Sequence, residues 1–356
     1  MVYTPHEPVK AEKLINTYVG LLPQYTLLPN LFIKEGIANY ADAKDDTISF
    51  KVEGRLPARR YAFRNNRSAE IVFDQYKERK VSVTLSDHIY SAVEITDEQV
   101  DFDGTNPNSL FPRQTSAVAE GINHLCSSVV EDAPYNFVIG GAEFNLRKSL
   151  LEARKVMNKL RVPGRRYAVV GSDFEQALLE DEKLSFANVV GDARAGQVLA
   201  EAQLGRLYGF DFLRDDTIDP ETMYVFVDGA FVLANGAPTV PSSVGFGASA
   251  AYDGIAMTWL RQYDLRKVQD QSLVHTWAGT RYVKDVFLDW EDTPGIGGEV
   301  VGEYEHFARG IKVTLGGTSS APSLTAGGGS PNAAQLAERA LAADVGIDST
   351  TIWQGA

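Results

Sequence analysis

The feature that most restricts how this chain can fold is a basic stretch framed by two strand-like segments. Thr47–Val52 (TISFKV) alternates apolar and polar side chains and ends at Gly54, and Lys80–Leu85 (KVSVTL) alternates likewise. That period belongs to half-exposed strands. Ile71–Phe73 (IVF) reads as a further strand piece between them. From Lys51 to Lys80 the nine basic residues Lys51, Arg55, Arg59, Arg60, Arg64, Arg67, Lys77, Arg79 and Lys80 face only Glu53, Glu70, Asp74 and Glu78, a local excess of +5. The whole chain runs the other way, with 34 Lys and Arg against 47 Asp and Glu and a formal net charge of −13. Unpaired cations are rarely buried, so residues 47–86 are predicted to project as a two-stranded basic loop from an acidic body.

That body has the means to fold. Of the 356 residues, 44% are hydrophobic and 23% charged, ordinary values for a folded chain, and the length predicts two lobes or one elaborated domain. An acidic surface speaks against nucleic-acid binding as the main activity, since phosphate affinity is built from cationic contacts. It also keeps a concentrated protein soluble by mutual repulsion. Cys126 is the only cysteine, so no disulfide can form within the chain, and its neighbours Leu125, Val129 and Val130 predict a buried, inert thiol. Met1–Lys10 lacks the pattern of a secretory signal, and no apolar run approaches the ~18 residues of a membrane span. A soluble protein made in a cytoplasm is expected.

Further signals order the chain. Residues 1–46, with Pro5, Pro8, Pro23 and Pro29, read as an extended arm carrying a short helix near Lys10–Val19. Asn106, Pro107, Ser109 and Pro112 announce a long helix whose apolar stripe runs through Val118, Ile122, Leu125 and Val129, with Glu120, Asn123 and Ser127 elsewhere. Gly121 within it costs about 1 kcal/mol against alanine. A second helix is predicted over Asn145–Leu160, then a strand at Tyr167–Val170 and a helix opened by a Ser172–Glu175 capping box. A helix is expected over 195–204, leading into LGRLYGFDF (204–212), a turn and a strand. Met223–Val227 and Phe231–Ala234 flank Asp228-Gly229 and predict a hairpin. A flexible Gly/Pro/Ser-rich crossing is expected at 235–250. Strands follow near Ile255–Leu260, Leu273–Trp277, Tyr282–Leu288 and Ile311–Leu315, and a linker and tail over 316–356.

Catalytic signatures are missing. The chain contains no G-x-x-x-x-G-K-[ST], H-E-x-x-H, C-x-x-C or G-x-S-x-G, and His6, His88, His124, His275 and His306 are scattered along it. Gly245–Ala250 formally fits G-x-G-x-x-A, yet Pro238 and Pro241 precede it where a strand would be required. The acids Asp215, Asp216 and Asp219, and Glu180, Asp181 and Glu182, fall in turn-like or helix-end stretches where carboxylates are usually solvated. No catalytic, cofactor or metal site is expected. Three readings of the basic loop stand: a solvated hairpin, a stacking groove for nucleic acid through Tyr61, Phe63 and the arginines, or a docking arm for an identical neighbour. For the third, the contact residues are Arg55, Arg59, Arg60, Tyr61, Phe63, Arg64 and Arg67. Guanidinium groups make forked bonds to carboxylates, and a chain basic in one arm and acidic elsewhere complements itself head to tail.

Several strings in order resemble the major capsid (coat) proteins of tailed double-stranded-DNA bacteriophages: VTLSDHIYSAVEITDEQ (83–99), LRVPGRRYAVVGSDFEQALLED (160–181), LGRLYGFDF (204–212), YVFVDGAFVLANGAPTVP (224–241) and RQYDLRKVQDQSLVHTWAGTRYV (261–283). The resemblance covers about 30–315. It implies an α+β fold with an N-terminal arm (1–46), an extended β-hairpin loop (47–86), a peripheral domain (87–162 and 256–315) holding a spine helix at 108–132, an axial domain (163–255), and a tail (316–356). It further implies a structural protein without enzymatic activity or cofactor that self-assembles through pentamers and hexamers into an icosahedral shell. Scaffolding and portal proteins, and in some members a decoration protein, would be partners. Double-stranded DNA would be enclosed without sequence-specific binding, in a virion assembled in the host cytoplasm and away from membranes. Some members crosslink through lysine and asparagine; Lys51, Lys77 and Asn65 are present. A nanocompartment shell, a tail-tube protein and a cytosolic hydrolase using paired carboxylates remain alternatives.

Overall fold

The computed structural model describes residues 27–36, 47–52, 73, 79–101, 107–141, 146–159, 164–180, 205–252, 254–290, 300–316 and 319. In chain order the strands are β1 (Ile33–Gly36), β2 (Thr47–Val52), β3 (Arg79–Thr84), β4 (Asp87–Thr96), β5 (Val138–Gly140), β6 (Arg166–Val170), β7 (Arg206–Leu207), β8 (Phe210–Arg214), β9 (Thr222–Val227), β10 (Phe231–Gly236), β11 (Phe246–Tyr252), β12 (Ile255–Asp264), β13 (Gln269–Tyr282), β14 (Asp285–Trp290), β15 (Val300–His306) and β16 (Gly310–Thr314). The α-helices are α1 (Asp97–Asp101), α2 (Pro107–Asp132), α3 (Leu146–Lys159) and α4 (Ser172–Glu180), and a 3-10 turn covers Leu28–Leu31. The described residues fall into two compact units, one drawn from within Met1–Ser49, Ser82–Val130 and Phe231–Arg281, the other from within Phe50–Val81, Glu131–Ala230 and Tyr282–Ala356.

The first unit is a sheet in the order β1-β10-β13-β12-β11, with β4 also paired to β13. β13, at 14 residues, is its spine: it runs antiparallel to β12 from Asp264↔Gln269 to Thr258↔His275, and antiparallel to β4 from Thr96↔Gln269 to Asp87↔Ala278. α2 packs on this sheet, and Gly121 explains itself there. A Cβ on Gly121 would stand 2.7 Å from Ile89 Cγ2 of β4, so the glycine admits the strand where any larger residue would push it away. The predicted stripe is rotated. Val118 and Ile122 are buried, but Cys126 and Val130 continue the face while Leu125 and Val129 are only half-buried. Asn123 and Ser127 are buried too, because each finds a partner: Asn123 Oδ1 accepts the Leu28 N–H at 3.2 Å, and Ser127 Oγ donates to the His124 carbonyl at 2.9 Å. Cys126 is fully buried, as its apolar neighbours predicted.

The second unit holds a sheet in the order β5-β16-β9-β6-β8-β7, mixed in direction, with β16 parallel to β5 and antiparallel to β9. Every residue of β9 is buried, the mark of a central strand covered on both faces. Leu150, Ala153, Val156 and Met157 of α3 and Phe174 and Leu178 of α4 close over Ala168, Val170, Met223, Val225, Ile311 and Val313 in one apolar core. α3 and α4 match their predicted spans closely. The capping box does not form at Ser172: Gly171 takes the cap position, its carbonyl accepting from the Glu175 N–H at 2.9 Å, and the Ser172 hydroxyl turns to Asp173. A box of the same type closes instead at Thr96-Asp-Glu-Gln, where Gln99 Oε1 accepts the Thr96 N–H at 3.3 Å and starts α1.

The largest departure from expectation is at Asp228-Gly229. β9 and β10 do not form a hairpin; β9 pairs with β16 and β6, and β10 pairs with β1 and β13. The turn does close, with the Ala230 N–H on the Val227 carbonyl at 3.1 Å, but only Gly229 has a positive φ (79°). A hairpin turn of the type Asp-Gly usually signals needs positive φ at both central residues; with one, the strands splay. The same corner moves the lobe boundary. The compact units divide the chain at Ala230/Phe231, so 231–255 joins β12 and β13, and α3 and β5 join β6 and β9, unlike the expected division at 163–255. The crossing at 235–250 is in part the edge strand β11, where Gly247 lies opposite Leu260 and a Cβ would meet Val240 Cγ1 at 2.8 Å. The predicted helices near Lys10–Val19 and 195–204, and the strand piece at Ile71–Phe73 apart from exposed Phe73, lie outside the described residues.

Candidate functional site

The seven contact residues expected of the basic loop, Arg55, Arg59, Arg60, Tyr61, Phe63, Arg64 and Arg67, lie outside the described residues, as do Lys77 and Asn65. Its root is described. β2 and β3 form a two-stranded sheet of their own, and the first residue of one meets the last of the other, Thr47 Oγ1 lying 2.9 Å from Thr84 Oγ1. The loop therefore leaves and returns at one place. That place is fixed to β13. The Ala278 carbonyl accepts the Ser86 N–H at 3.2 Å, and Arg281 Nη1 donates to the Ser82 carbonyl at 2.5 Å and to Ser82 Oγ at 3.2 Å. Gly279 lets the strands touch: a Cβ there would lie 2.1 Å from the Thr84 carbonyl oxygen.

β13 is itself held by polar atoms under α2. Gln114 Nε2 donates to the Ser91 carbonyl (3.2 Å) and the Ser272 carbonyl (3.0 Å), and its Oε1 accepts from Ser272 Oγ (2.7 Å). The Ser272 hydroxyl in turn accepts from Trp259 Nε1 at 2.9 Å, and the Trp259 ring packs 4.2 Å from Phe111 and edge-on to Phe246. Beside it, Asn235 reaches Thr276 Oγ1 (2.9 Å) and takes the Ala256 N–H (2.6 Å). Buried polar groups satisfied in this way fix one register, because a one-residue slip would strand each of them.

Toward its other end the β12–β13 pair runs out into a turn. Arg261 grips Asp270 across the strands, Tyr263 Oη donates to Asp97 Oδ2 at 2.6 Å, and Lys267 and Gln271 meet Glu94 at 3.4 and 2.9 Å. The bond to Asp97 raises the Tyr263 pKa above the ordinary phenol value, since losing the proton would set two anions together. At the turn Val268 has a φ of +54°, a left-handed conformation that costs a β-branched residue roughly 1–2 kcal/mol.

Two of the scattered histidines come together: His88 Nε2 and His275 Nδ1 are 2.9 Å apart on β4 and β13. Burial, then the neighbouring His88, pushes the His275 pKa below its usual value. Among the described residues no group of three or more His, Cys, Asp or Glu is arranged to hold a metal, and no helix is long and apolar enough to cross a membrane. The acids singled out from sequence are engaged locally, by backbone N–H groups or by neighbouring side chains. Asp215 Oδ1 accepts the Thr217 N–H (2.8 Å), Asp216 pairs with Arg214 (2.9 Å), and Asp219 Oδ1 accepts the Glu221 N–H (3.2 Å). Glu180 takes Gln176 at 2.8 Å, and its neighbours 181 and 182 lie outside the described residues.

The described residues thus give an α+β fold in which the paired β2 and β3 are anchored on β13. The comparisons agree. The profile of the family described as phage capsid protein matches residues 80–286, more than half of the chain. Among solved structures, one from Mycobacterium phage Che8 is 13% identical, with a TM-score of 0.56, 82% of this chain and 92% of that one covered. The capsid of cyanophage P-SCSP1u gives 12% identity and a TM-score of 0.52 over 81% and 88% of the two chains. The mature capsid of bacteriophage PhiM1 gives 9% and 0.51 over 81% and 86%. No curated protein matches the sequence. The chain belongs to the phage capsid protein family. It is a capsid protein, a structural component of the phage shell, with an α+β fold shared with solved phage capsids.

Proposed function

We propose that copies of this chain assemble as pentamers and hexamers into an icosahedral shell around double-stranded DNA, and that the basic extension supplies the contact between neighbours. The observation that carries the reading is the paired root at Thr47 and Thr84, from which a +5 segment departs on a chain of net charge −13. Arg55, Arg59, Arg60, Arg64 and Arg67 dock on carboxylates of an adjacent copy, while Tyr61 and Phe63 add apolar contact. Each contact is modest, and closure of the shell makes them collectively firm through effective concentration. The acidic remainder repels the packed polyanion and lets it slide. In this reading the unit carrying β9 and β16 takes the axial role and the unit carrying α2 and β13 the peripheral one. Scaffolding and portal proteins, and a decoration protein where one is used, are the further partners. The chain is made in the host cytoplasm, needs no cofactor and catalyses no reaction.

Charge reversal tests this. Arg59→Glu with Arg60→Glu is expected to leave a subunit with the wild-type urea midpoint that forms no closed particles by negative-stain microscopy. Normal particles from the double variant overturn the docking role.

A further inference from the structure

We propose that the solvent face of α3 is a contact surface for the sugar-phosphate backbone of the enclosed double-stranded DNA, with Arg147, Lys148, Arg154, Lys155 and Arg166 as its cations. The inference rests on the shell-forming reading above and adds to it a place where the polyanion is held. From Leu146 to Arg166 eight basic residues stand against Glu152 alone, an excess of +7 that is larger than that of the basic loop, in a chain of net charge −13. The helix sorts these charges. Leu150, Ala153, Val156 and Met157 are buried in the core of the unit. Arg147 and Lys148, and two turns further on Arg154 and Lys155, form two pairs on the opposite, exposed side. Leu151, 42% exposed, and Asn158 lie among them.

Most of this charge is not neutralised within the subunit. Lys155 pairs with Glu152, the one acid of the helix, at 2.7 Å. Arg147 and Arg154 have no carboxylate partner among the described residues. Arg166, at the start of β6, donates to the amide oxygen of Asn158 at 2.8 Å and not to a carboxylate. Burial, then the neighbouring Arg154 charge, holds the Arg166 pKa below its usual value, so two guanidinium groups stand close enough to repel. Arg154 also reaches the β7–β8 turn, its Cζ 3.8 Å from where a Cβ on Gly209 would stand. There Arg165 and Arg206 share the single carboxylate of Asp211, at 2.5 and 3.5 Å. A bound anion would relieve this crowding. The kind of anion follows from what the face lacks. Contact centres between proteins are rich in aromatic side chains and poor in lysine, whereas here Leu151 is the one exposed apolar residue among cations. Long cations in a row without an apolar centre suit a phosphate backbone, where each contact releases counterions and none requires a particular base.

The test titrates a short DNA duplex of arbitrary sequence into the full-length free subunit and follows fluorescence anisotropy across a salt series. Arg147→Gln with Arg154→Gln is expected to keep the wild-type urea midpoint, weaken binding about tenfold or more at low salt, and flatten the slope of log K against log salt by about 2. The same loss of charge in the basic loop, Arg59→Gln with Arg60→Gln, is expected to leave affinity and slope near wild type. In closed shells Leu151→Cys should be shielded from a bulky maleimide that labels it in the free subunit, Cys126 being buried. Four results each overturn this proposal and leave shell formation untouched. They are a wild-type subunit that does not bind the duplex at low salt, a loss of binding confined to the loop variant, displacement of the duplex by poly-glutamate more readily than by an equal charge of polyphosphate, and labelling of Leu151→Cys in closed shells. A wild-type chain that stays a free subunit in every assembly condition overturns the shell-forming reading, and this assignment with it, even where the duplex titration succeeds.

Discussion

Under α2, an apolar helix–sheet contact carries a buried hydrogen-bond network within it; in the unit built on β9, helix and sheet meet through hydrocarbon. Gln114, Ser272 and Trp259 form a closed chain of donors and acceptors in the first, whereas Leu150, Met157, Phe174 and Leu178 lie on Val170, Met223 and Val225 in the second. Apolar packing is forgiving in register and depends on volume, while a polar network is strict in register and depends on every member. The strict version occurs in the unit that carries β13, the strand to which the root of the basic loop is attached. A loop that must meet identical copies needs to be aimed consistently, and a core that tolerates only one register aims it.

The comparison can be attacked at its centre. Trp259→Ala removes a fully buried ring and leaves the Ser272 hydroxyl without its donor; a loss of about 3–5 kcal/mol in urea unfolding is expected, and a loss below about 2 would show that the network does not hold the helix. A reciprocal pair sharpens it. Ser272→Ala in the polar core and Val225→Thr in the apolar one, the first deleting a hydroxyl and the second adding one, should each cost about 1–3 kcal/mol for opposite reasons. If Ser272→Ala is neutral, the two cores are alike after all. The smallest effect concerns acid. Because the folded-state pKa of His275 is lowered, the unfolded chain binds a proton that the folded one resists. Its contribution is complete above the unfolded value near 6.5 and declines as pH falls below it, levelling once the folded pKa is passed. Urea midpoints compared at pH 7.5 and about 5.5 should fall less for His275→Gln than for wild type; equal falls would remove His275 from the account.

Local signals were readable wherever one periodicity and one face decided the outcome. The spans of β2, α2, α3 and α4, and burial of Cys126, follow from residues within a few positions of one another. Where distant partners decide, the local pattern misled. Asn123 and Ser127 look like exposed helix residues until Leu28 and a turn of backbone satisfy them. Asp228-Gly229 has the composition of a hairpin, yet Asp228 lacks the positive φ such a turn needs, and β10 pairs with β1 and β13 in another sheet. β11 was hidden by its own glycines, since Gly247 is there for closeness to Val240 and Leu260 and not for flexibility. For the candidate site the charge excess at 51–80 was plain in composition, but Val268 carries no signal of its left-handed turn, because valine is the last residue such a turn would suggest.

The meeting of Thr47 with Thr84 has a practical consequence. A segment whose two ends are already held side by side can be lengthened cheaply, since doubling a closed loop adds only about 0.6 kcal/mol of entropy. Residues added between β2 and β3 are therefore expected to leave the anchoring strands untouched.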